Sequence, residues 1–298
     1  MKVAITGASG LIGTALVPHL RSVGHDVYRL VRRPAAAADE ISWDPVAGTV
    51  DLAALEGTEG VIHLAGAGVG DHRWTDAYKA EILDSRVDGT RTIADAMTRL
   101  DTAPRVLVSG SAIGFYGDTG DRIVDESAPA GGGFLAGVVV AWEAAAAPAA
   151  EAGIRVVHPR TGLVVARQGG AWARMFPLFK AGLGGKLGPG SQYWSWISLR
   201  DEVCALQFLL EQDHLVGPVN LTAPDPVTNA KVTSVMGTVL GRPTVLPAPA
   251  FALKAVLGEF SSEVLGSARV VPTVLTTAQF AFQDPTIEAA VRTALAPA

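Results

Sequence analysis

Cysteine, charge and basic clusters are all scarce in this sequence. Cys204 is the one cysteine among 298 residues, which excludes an internal disulfide and indicates a reducing compartment. The formal net charge is −5 and no basic run stands out, so nucleic acid is not expected as a partner. Cysteine and histidine residues do not occur at metal-ligand spacing, and we therefore predict no metal site.

The sequence shows no export signal, and its apolar runs look too short to cross a membrane. The stretch from Phe134 to Val140 is short and contains a glycine, and a predicted strand follows Met1-Lys2 directly. With 49% hydrophobic residues, the chain is long enough for a large α/β domain or for a core domain with a smaller addition. These features predict a cytoplasmic protein with no membrane partner.

Short apolar strands alternate with helical segments along the chain. Strands are predicted at residues 3–5, 27–31, 41–43, 61–65, 106–109, 156–158 and 219–221, and helices at 11–23, 75–100, 136–151 and 201–212. This alternation predicts an α/β fold, a Rossmann-type doubly wound parallel sheet with a smaller C-terminal substrate-side region. We assign residues 1–165 to the Rossmann domain and 166–298 to the substrate-side region. That region is expected to return to the core sheet around 197–222 and to end in a C-terminal cap over 244–298.

A glycine-rich turn follows the first predicted strand. Gly7, Gly10 and Gly13 have the spacing G-x-x-G-x-x-G, and an apolar helix is predicted to begin at Leu11. In nucleotide-binding folds such glycines allow the tight turn, the close approach of the pyrophosphate and the close packing of helix on strand. We predict that the turn binds a nicotinamide dinucleotide; a purely structural strand–turn–helix is the alternative. The predicted contact residues are Gly7, Ala8, Ser9, Gly10, Leu11, Ile12 and Gly13.

Two arginines follow the second predicted strand, at the position that discriminates between the two nicotinamide cofactors. The sequence there is Val31-Arg32-Arg33-Pro34, without the acidic residue that would bind the ribose hydroxyls of NAD. Guanidinium groups suit a 2′-phosphate, which they bind through bidentate charged hydrogen bonds. We predict NADP as the cofactor, with Arg32 as the first candidate, Arg33 as the second and Val31 beside them. An exposed basic turn is the alternative.

The glycine turn and two later motifs resemble the extended short-chain dehydrogenase/reductases. His63-Leu64-Ala65-Gly66 is similar to their fourth-strand motif, and the resemblance implies that Leu64, Ala65 and Gly66 border the cofactor riboses. Residues 108–112 are similar to the fifth-strand serine motif. More specifically, the chain resembles an atypical branch, the epimerase-like or nucleoside-diphosphate-sugar-epimerase-like family. The features shared with that branch are residues 41–45, 109–117, 142–144, 182–188 and 196–198, and a small C-terminal domain of unknown function from residue 246.

The tyrosine–lysine pair that performs acid–base chemistry in the wider superfamily is absent. The tyrosine position falls near Phe134 or Leu135 and the lysine position near Val138 or Val139, and none of these side chains moves a proton. Two candidate catalytic residues are left. Ser111 keeps the serine position, and Tyr116 is the nearest phenol. The alternatives are a serine that bonds only backbone and a buried structural tyrosine, while Glu143 is interpreted as a solvated or salt-bridged carboxylate.

Three further charged residues are assigned to the cofactor. Arg86 stands where the superfamily often has an asparagine, three residues before Gly89-Thr90, and a cation there is suited to the cofactor phosphates. Glu81 is assigned to a ribose hydroxyl or to tethering Arg86; a pair on the helix surface is the alternative. Arg160 follows the sixth predicted strand, at the sheet edge where open α/β sheets bind ligands, and is assigned as an anion anchor.

Two classes of function are consistent with these features. The first is an NADP(H)-dependent oxidoreductase or epimerase-like enzyme acting on a small polar molecule such as a nucleotide sugar. The second is a cofactor-binding sensor or scaffold that kept the fold and lost the acid–base pair. An interaction protein that uses the cap is a weaker third interpretation. A homodimer is expected only by analogy with the fold.

Overall fold

A nine-stranded, mostly parallel sheet forms the centre of the computed structural model, which describes residues 1–296. The strands are β1 (Lys2–Thr6), β2 (Asp26–Val31), β3 (Glu40–Asp44), β4 (Thr49–Val50), β5 (Gly60–His63), β6 (Val106–Ser109), β7 (Ser111–Ala112), β9 (Arg155–Thr161) and β13 (Gly217–Leu221). Their order is β13-β9-β6-β5-β1-β2-β3-β4, with β7 beside β9. Only β3 and β4 pair in the antiparallel direction among these neighbours. The predicted doubly wound parallel sheet is confirmed.

The strand order reverses beside β1, and this reversal positions the site. The chain moves from β1 outward to β2 and β3, then returns to form β5 on the other side of β1. In open α/β sheets the crevice at the carboxyl ends of the strands, where the order reverses, is the place for a ligand. Gly7 follows β1 at this edge and Leu64 follows β5.

Helices cover both faces of the sheet. They are α1 (Leu11–Ser22), α2 (Leu52–Leu55), α3 (Asp76–Thr98), α4 (Phe134–Ala144), α5 (Ala147–Glu151), α6 (Gly170–Lys180), α7 (Leu199–Glu211), α8 (Asn229–Leu240), α9 (Ala250–Leu257), α10 (Ser261–Leu265), α11 (Thr273–Thr277) and α12 (Ile287–Leu295). Helices α1 and α7 pack on one face, where Leu16 and Leu20 are fully buried at helical spacing. Helices α3 and α5 pack on the other face through Ile93, Met97 and Ala149.

The apolar segment after residue 133 is longer than the sequence interpretation allowed. The window Phe134–Glu151 has the length and hydropathy of a membrane span, by composition alone. In the structure it forms two helices, α4 and α5, with a break at Ala145 and Ala146 and a proline at the start of α5. Both alanines are buried in the core beside the sheet. The structure thus has two helices where the sequence predicts one over 136–151, and 39% of the window is buried.

The second half of the chain contains a further core that the sequence analysis did not predict. Helices α6, α8 and α12 enclose Trp172 and Trp196, both of which are almost fully buried. Three two-stranded sheets accompany this core. They pair β10 (Leu163–Val165) with β12 (Trp196–Ser198), β11 (Tyr193–Trp194) with β14 (Val227–Thr228), and β8 (Ile123–Val124) with β15 (Arg269–Val270). Because α12 packs on α8 and β12, the described part of the predicted cap over 244–298 also supplies a helix to this core. The last two residues of that cap lie outside the described residues.

Candidate functional site

The turn between β1 and α1 has no room for side chains at two of its glycines. Gly7 has φ of +68°, and a β-carbon there would lie 2.7 Å from the carbonyl carbon of Leu64. A β-carbon at Gly13 would lie 2.7 Å from the Cα of Ala8. Because the opposing atoms are backbone, they cannot move aside. Gly7 therefore brings the turn against the segment that follows β5, and Gly13 brings the start of α1 against the turn.

The beginning of α1 is free to bind an anion. Its N-cap residue, Gly10, has no side chain that could cap the helix, and the first turn contains no acidic residue. The first backbone N–H groups of a helix have no partner within the helix, and they lie at the positive end of its dipole. The N–H groups of Leu11, Ile12 and Gly13 fit the pyrophosphate of a dinucleotide. Ala8 and Ser9 complete this turn, as predicted from the sequence.

A threonine and a histidine fasten the end of β5 to the turn. The Thr6 hydroxyl accepts hydrogen bonds from the backbone N–H groups of Leu64 (3.0 Å) and Ala65 (3.2 Å). It also forms a 2.7 Å hydrogen bond with Nδ1 of His63. Burial, followed by the positive charge of Arg86, lowers the pKa of His63 to about 4. The histidine is therefore neutral at physiological pH and supports the loop from Leu64 onward.

The two arginines after β2 have different surroundings. Arg33 forms a bidentate pair with Glu40 on β3, at 2.7 and 2.8 Å. The hydrogen bonds from Arg33, with a further one from the backbone N–H of Ala36, lower the pKa of Glu40 to about 2. Arg32 is exposed and forms no ion pair within residues 1–296. Arg33 is thus committed to Glu40, and Arg32 is the one of the two that is available for a phosphate.

Arg86 lies against the loop that follows β5. A β-carbon at Gly66 would be 3.3 Å from Cγ of Arg86, and the guanidinium stacks 5.0 Å from the centre of the Trp142 ring. Burial lowers its pKa to about 10, so the group remains charged at neutral pH. Arg86 donates to the carbonyl of Ile82 at 3.0 Å, and Glu81 is exposed on α3. The predicted tether between Glu81 and Arg86 does not occur in the structure.

A serine, a glutamate and an arginine form a hydrogen-bonded cluster at the carboxyl ends of the strands. The Ser111 hydroxyl donates to Oε1 of Glu143 at 2.6 Å. Arg160 donates to the same carboxylate through Nε and Nη2, both at 2.8 Å. Burial favours the neutral form of Glu143, but the hydrogen bonds from Arg160 and Ser111 outweigh it and hold its pKa below the usual value. The carboxylate is therefore charged at neutral pH.

The surroundings of Arg160 and Tyr116 do not suit the roles predicted for these two residues. Arg160 is 3% exposed, lies 3.4 Å from the centre of the Phe115 ring and donates to the Tyr116 hydroxyl at 3.0 Å. Tyr116 in turn donates to Oδ1 of Asn220 at 2.7 Å, and burial raises the pKa of its phenol. Arg160 acts as an internal partner of Glu143 rather than as an anion anchor. The proton of Tyr116 is directed into the protein, which does not suit the predicted acid–base role.

Apolar side chains occupy the positions of the missing acid–base pair. A β-carbon at Gly114 would lie 3.5 Å from Cβ of Leu135 and 4.0 Å from Cγ2 of Val139. These two residues therefore face the segment that follows Ser111, four residues apart on α4. Glu143 follows one turn later on the same helix. Its pairing with Ser111 was not predicted from the sequence, although its place on the helix beside the serine strand was a usable signal.

Comparison with known proteins gives the family. The model of the NAD-dependent epimerase/dehydratase family matches residues 3–221. The chain belongs to this family. A second model, a domain of unknown function named DUF1731, matches residues 248–294. The resemblance inferred from the sequence motifs is thereby confirmed, including the small C-terminal domain of unknown function.

Relatives of this epimerase-family protein occur in bacteria and eukaryotes. Epimerase family protein MT2273 of Mycobacterium tuberculosis is 47% identical over 286 residues, which cover 96% of this chain and 94% of that protein. The crystal structure of human epimerase family protein SDR39U1 with NADPH has a TM-score of 0.92 at 31% identity and covers 98% of both chains. The nucleoside-diphosphate sugar epimerase from Corynebacterium glutamicum has a TM-score of 0.83 at 34% identity. That match covers 99% of this chain and 58% of the longer one.

Proposed function

We propose that this chain is a cytoplasmic, NADP(H)-dependent oxidoreductase or epimerase-like enzyme that acts on a hydroxyl of a small polar molecule such as a nucleotide sugar. The observation that carries the proposal is the hydrogen bond from Ser111 to a charged Glu143, at the same edge of the sheet as the glycine turn. The NADPH in the structure of the human relative supports the choice of cofactor. The single cysteine supports a reducing compartment.

The residues present fit the cofactor part by part. When bound, NADP(H) supplies hydride transfer. The N–H groups at the start of α1 would hold its pyrophosphate, and Arg32 would hold the 2′-phosphate. Leu64, Ala65 and Gly66 would border its riboses, and Arg86 would add a positive charge beside them.

The Ser111–Glu143 pair is suited to accept a proton. A serine hydroxyl has one proton, and Ser111 directs it at Glu143, so only its lone pairs remain for a ligand. A ligand hydroxyl would donate to Oγ of Ser111, and as its proton moves there the serine proton moves to Oε1 of Glu143. Arg160 holds the carboxylate in place through two hydrogen bonds. In the reverse direction the same two atoms return the proton.

The second candidate function is a cofactor-binding sensor or scaffold. It is favoured by Leu135 and Val139, the apolar side chains at the positions of the usual tyrosine and lysine. A sensor needs the glycine turn and Arg32 but does not need Ser111 to transfer a proton. The two functions therefore differ in whether Ser111 and Glu143 affect turnover.

A substrate screen with NADPH absorbance as the readout tests the proposal. We expect turnover of at least one nucleotide sugar or related carbonyl compound, reduced by about 100-fold in Ser111→Ala and in Glu143→Gln, as is typical when a general acid–base group is removed. Ser234→Ala changes an exposed serine on α8 and is the matched control. NADPH binding in calorimetry without turnover across the screen would favour the sensor. Absence of NADPH binding would contradict both functions.

A further inference from the structure

The exposed large hydrophobic side chains of this protein are concentrated on one part of its surface. Within residues 1–296, every exposed leucine and phenylalanine lies between residues 178 and 183 or between residues 245 and 256, together with two exposed valines. These side chains are Leu178, Leu183, Val245, Leu246, Phe251 and Val256. Single exposed hydrophobic residues are normal on a protein, whereas a contiguous apolar patch marks an interaction site.

The two segments that carry these side chains are in contact with each other. Nε of Arg242 donates a hydrogen bond to the carbonyl of Lys180 at 3.0 Å. The backbone N–H of Ala248 donates to the carbonyl of Lys186 at 2.8 Å. The chain between α8 and α9 therefore lies along the chain that follows α6.

Helix α9 adjoins both α6 and the segment that follows it. A β-carbon at Gly188 would lie 3.9 Å from Cβ of Ala250, the first residue of α9. Near the other end of α9, Val256 lines a cavity of about 170 Å³ together with Arg174 of α6. Leu178 follows Arg174 by four residues and so lies on the same side of α6. The exposed apolar side chains thus lie on connected segments, and we call this surface the α6–α9 face.

Helix α9 is apolar in sequence and buries none of its residues. Lys254 is its one charged residue, and the other seven are alanine, leucine, valine and phenylalanine. Phe251 is 76% exposed and Val256 is 75% exposed. Helices in proteins are stabilised mainly by the packing of an apolar face. A partner that covers α9 would therefore supply the packing that the rest of residues 1–296 does not.

The two stretches of sequence that form this face contain no acidic residue. Aspartate and glutamate are absent between Glu151 and Asp201 and again between Asp225 and Glu259, although the formal net charge of the whole chain is −5. Basic residues do occur there. Those exposed on the face are Arg174, Lys180, Lys186, Arg242 and Lys254.

Ion pairs do not neutralise these five cations within the described part of the chain. Other exposed cations do have partners, such as Arg292 with Glu288 at 2.7 Å. Of the acids at the border of the face, Glu259 is paired with Lys79 at 3.0 Å, and Asp71 lines the cavity. The α6–α9 face is therefore both apolar and positively charged.

We propose that the α6–α9 face docks this protein on the surface of a membrane that contains anionic lipids. Exposed apolar side chains enter the boundary between headgroups and acyl chains, and neighbouring lysines and arginines meet the lipid phosphates. The rest of this acidic protein is repelled by such a membrane, which restricts docking to this face. The docking needs no helix that crosses the membrane. It revises the expectation of no membrane partner, which was based on the lengths of apolar runs.

The mixing of charge and apolar groups favours a membrane over a protein partner. The centre of a protein–protein interface is depleted in charged residues, lysine above all. On the α6–α9 face, Lys180 lies between Leu178 and Leu183 in the sequence, and Lys254 lies within α9 between its two most exposed apolar residues. Lipid headgroups surround each inserted side chain, so they can meet a cation beside every apolar group.

Co-sedimentation of the full chain with vesicles tests this proposal. The vesicles contain equal parts of phosphatidylcholine and phosphatidylglycerol, and vesicles of phosphatidylcholine alone serve for comparison. We expect the parent protein to sediment with the mixed vesicles and to remain in solution with phosphatidylcholine alone. Added salt should release the protein, because interactions between exposed charges are screened.

Two substitutions separate the charged from the apolar contribution. Lys254→Glu should weaken binding to the mixed vesicles about tenfold, because an attractive charge becomes a repulsive one. Phe251→Ser should weaken it about tenfold as well, because an inserted aromatic ring is lost. Both residues are exposed, so the variants should keep the unfolding temperature of the parent. The matched controls are Arg99→Glu, at the end of α3, and Val216→Ser, just before β13, and both should bind as the parent does.

Three results would overturn the proposal. The first is equal binding of the parent and both face variants, or no binding to the mixed vesicles at low salt. The second is binding to soluble polyglutamate without binding to vesicles, which would favour an acidic protein partner. The third is a dimer in gel filtration that becomes a monomer in Phe251→Ser, again without vesicle binding, which would assign the face to a second copy of this chain. These measurements do not involve turnover, so they test the face independently of the proposed enzymatic function.

Discussion

The hydroxyl of Ser111 lies 2.6 Å from the carboxylate of Glu143 and donates its only proton to it. The same carboxylate receives two hydrogen bonds from Arg160, whose third donor reaches Tyr116. The negative charge of Glu143, next to the serine, is therefore balanced by Arg160, which in turn donates a hydrogen bond to Tyr116. This arrangement gives the site a charged proton acceptor although the usual tyrosine and lysine are absent.

Removal of the charge at Glu143 should destabilise the fold. Arg160 is nearly buried, and Glu143→Gln would leave its charge without a partner, so we expect a loss of about 3 kcal/mol in the free energy of unfolding. Chemical denaturation measures this loss. Glu151→Gln, at the exposed end of α5, is the control and should change stability by less than about 0.5 kcal/mol.

A double-mutant cycle distinguishes loss of the Arg160–Glu143 ion pair from a general destabilisation of the fold. Arg160→Met combined with Glu143→Gln should cost less than the sum of the two single changes, because the double variant contains no unpaired buried charge. Additive costs would show that Arg160 and Glu143 are not coupled. That result would contradict the conclusion that Arg160 positions the carboxylate of Glu143.

Arg32 and Arg33 should respond differently to the same substitution. Arg32→Ala should weaken NADPH binding about tenfold and leave NADH binding unchanged, because a charged hydrogen bond to the 2′-phosphate is lost. Arg33→Ala should leave the preference for NADPH intact and lower stability instead, since Arg33 is paired with Glu40. Fluorescence titration with both cofactors measures the preference. Equal affinities for NADPH and NADH in the parent protein would contradict the role of Arg32.

The sheet and its ligand edge were predictable because their signals are local. The glycine spacing and the strand before it lie within one short segment, and so does the pair Arg32-Arg33. The commitment of Arg33 to Glu40 was not predictable, because the partner lies on the next strand. The same holds for Arg160, whose type and edge position were apparent from the sequence. Its contact with Glu143 depends on how α4 packs against β7, which pairs with β9.

Contacts between residues far apart in the sequence were harder still to predict. Tyr116 bonds Asn220 across 104 residues of sequence, and no spacing rule connects a loop tyrosine to an asparagine in a distant strand. The core enclosed by α6, α8 and α12 was not predicted for another reason. Glycine-rich stretches flank α6, and no helix is predicted there from the sequence, while the burial of Trp172 comes from contacts with α8 and α12.

Glu202 predicts a pH dependence of stability. Its side chain is fully buried, accepts one hydrogen bond from Thr161 at 2.8 Å, and leaves Oε2 without a partner. Burial raises the pKa of Glu202 from 4.5 to about 8, so the folded protein retains a proton that the unfolded chain releases. Proton retention by Glu202 therefore favours the folded state. This contribution to the free energy of unfolding is complete below pH 4.5 and is lost as the pH rises toward 8, at up to about 1.4 kcal/mol per pH unit.

Glu202→Gln should remove this dependence. The amide can still accept from Thr161 and carries no ionisable group, so the variant should be more stable than the parent at pH 8. At pH 5 the two should be nearly equal. Denaturation curves at both pH values measure the difference. Parallel pH profiles for parent and variant would mean that Glu202 does not retain its proton on folding.

Two glycine-to-alanine changes should have opposite effects. In Gly13→Ala the new methyl group would meet the backbone of Gly7 and Ala8, so α1 must move away from the turn. We expect a loss of about 2 kcal/mol in stability, within the range for overpacking, together with loss of NADPH binding. Gly137 lies at an exposed position inside α4, and a β-carbon there would have open space around it. There alanine should increase stability by about 1 kcal/mol, because glycine is the poorer helix former, and NADPH affinity should stay the same. Retention of NADPH binding in Gly13→Ala would mean that the close packing of α1 on the turn is not what creates the cofactor site.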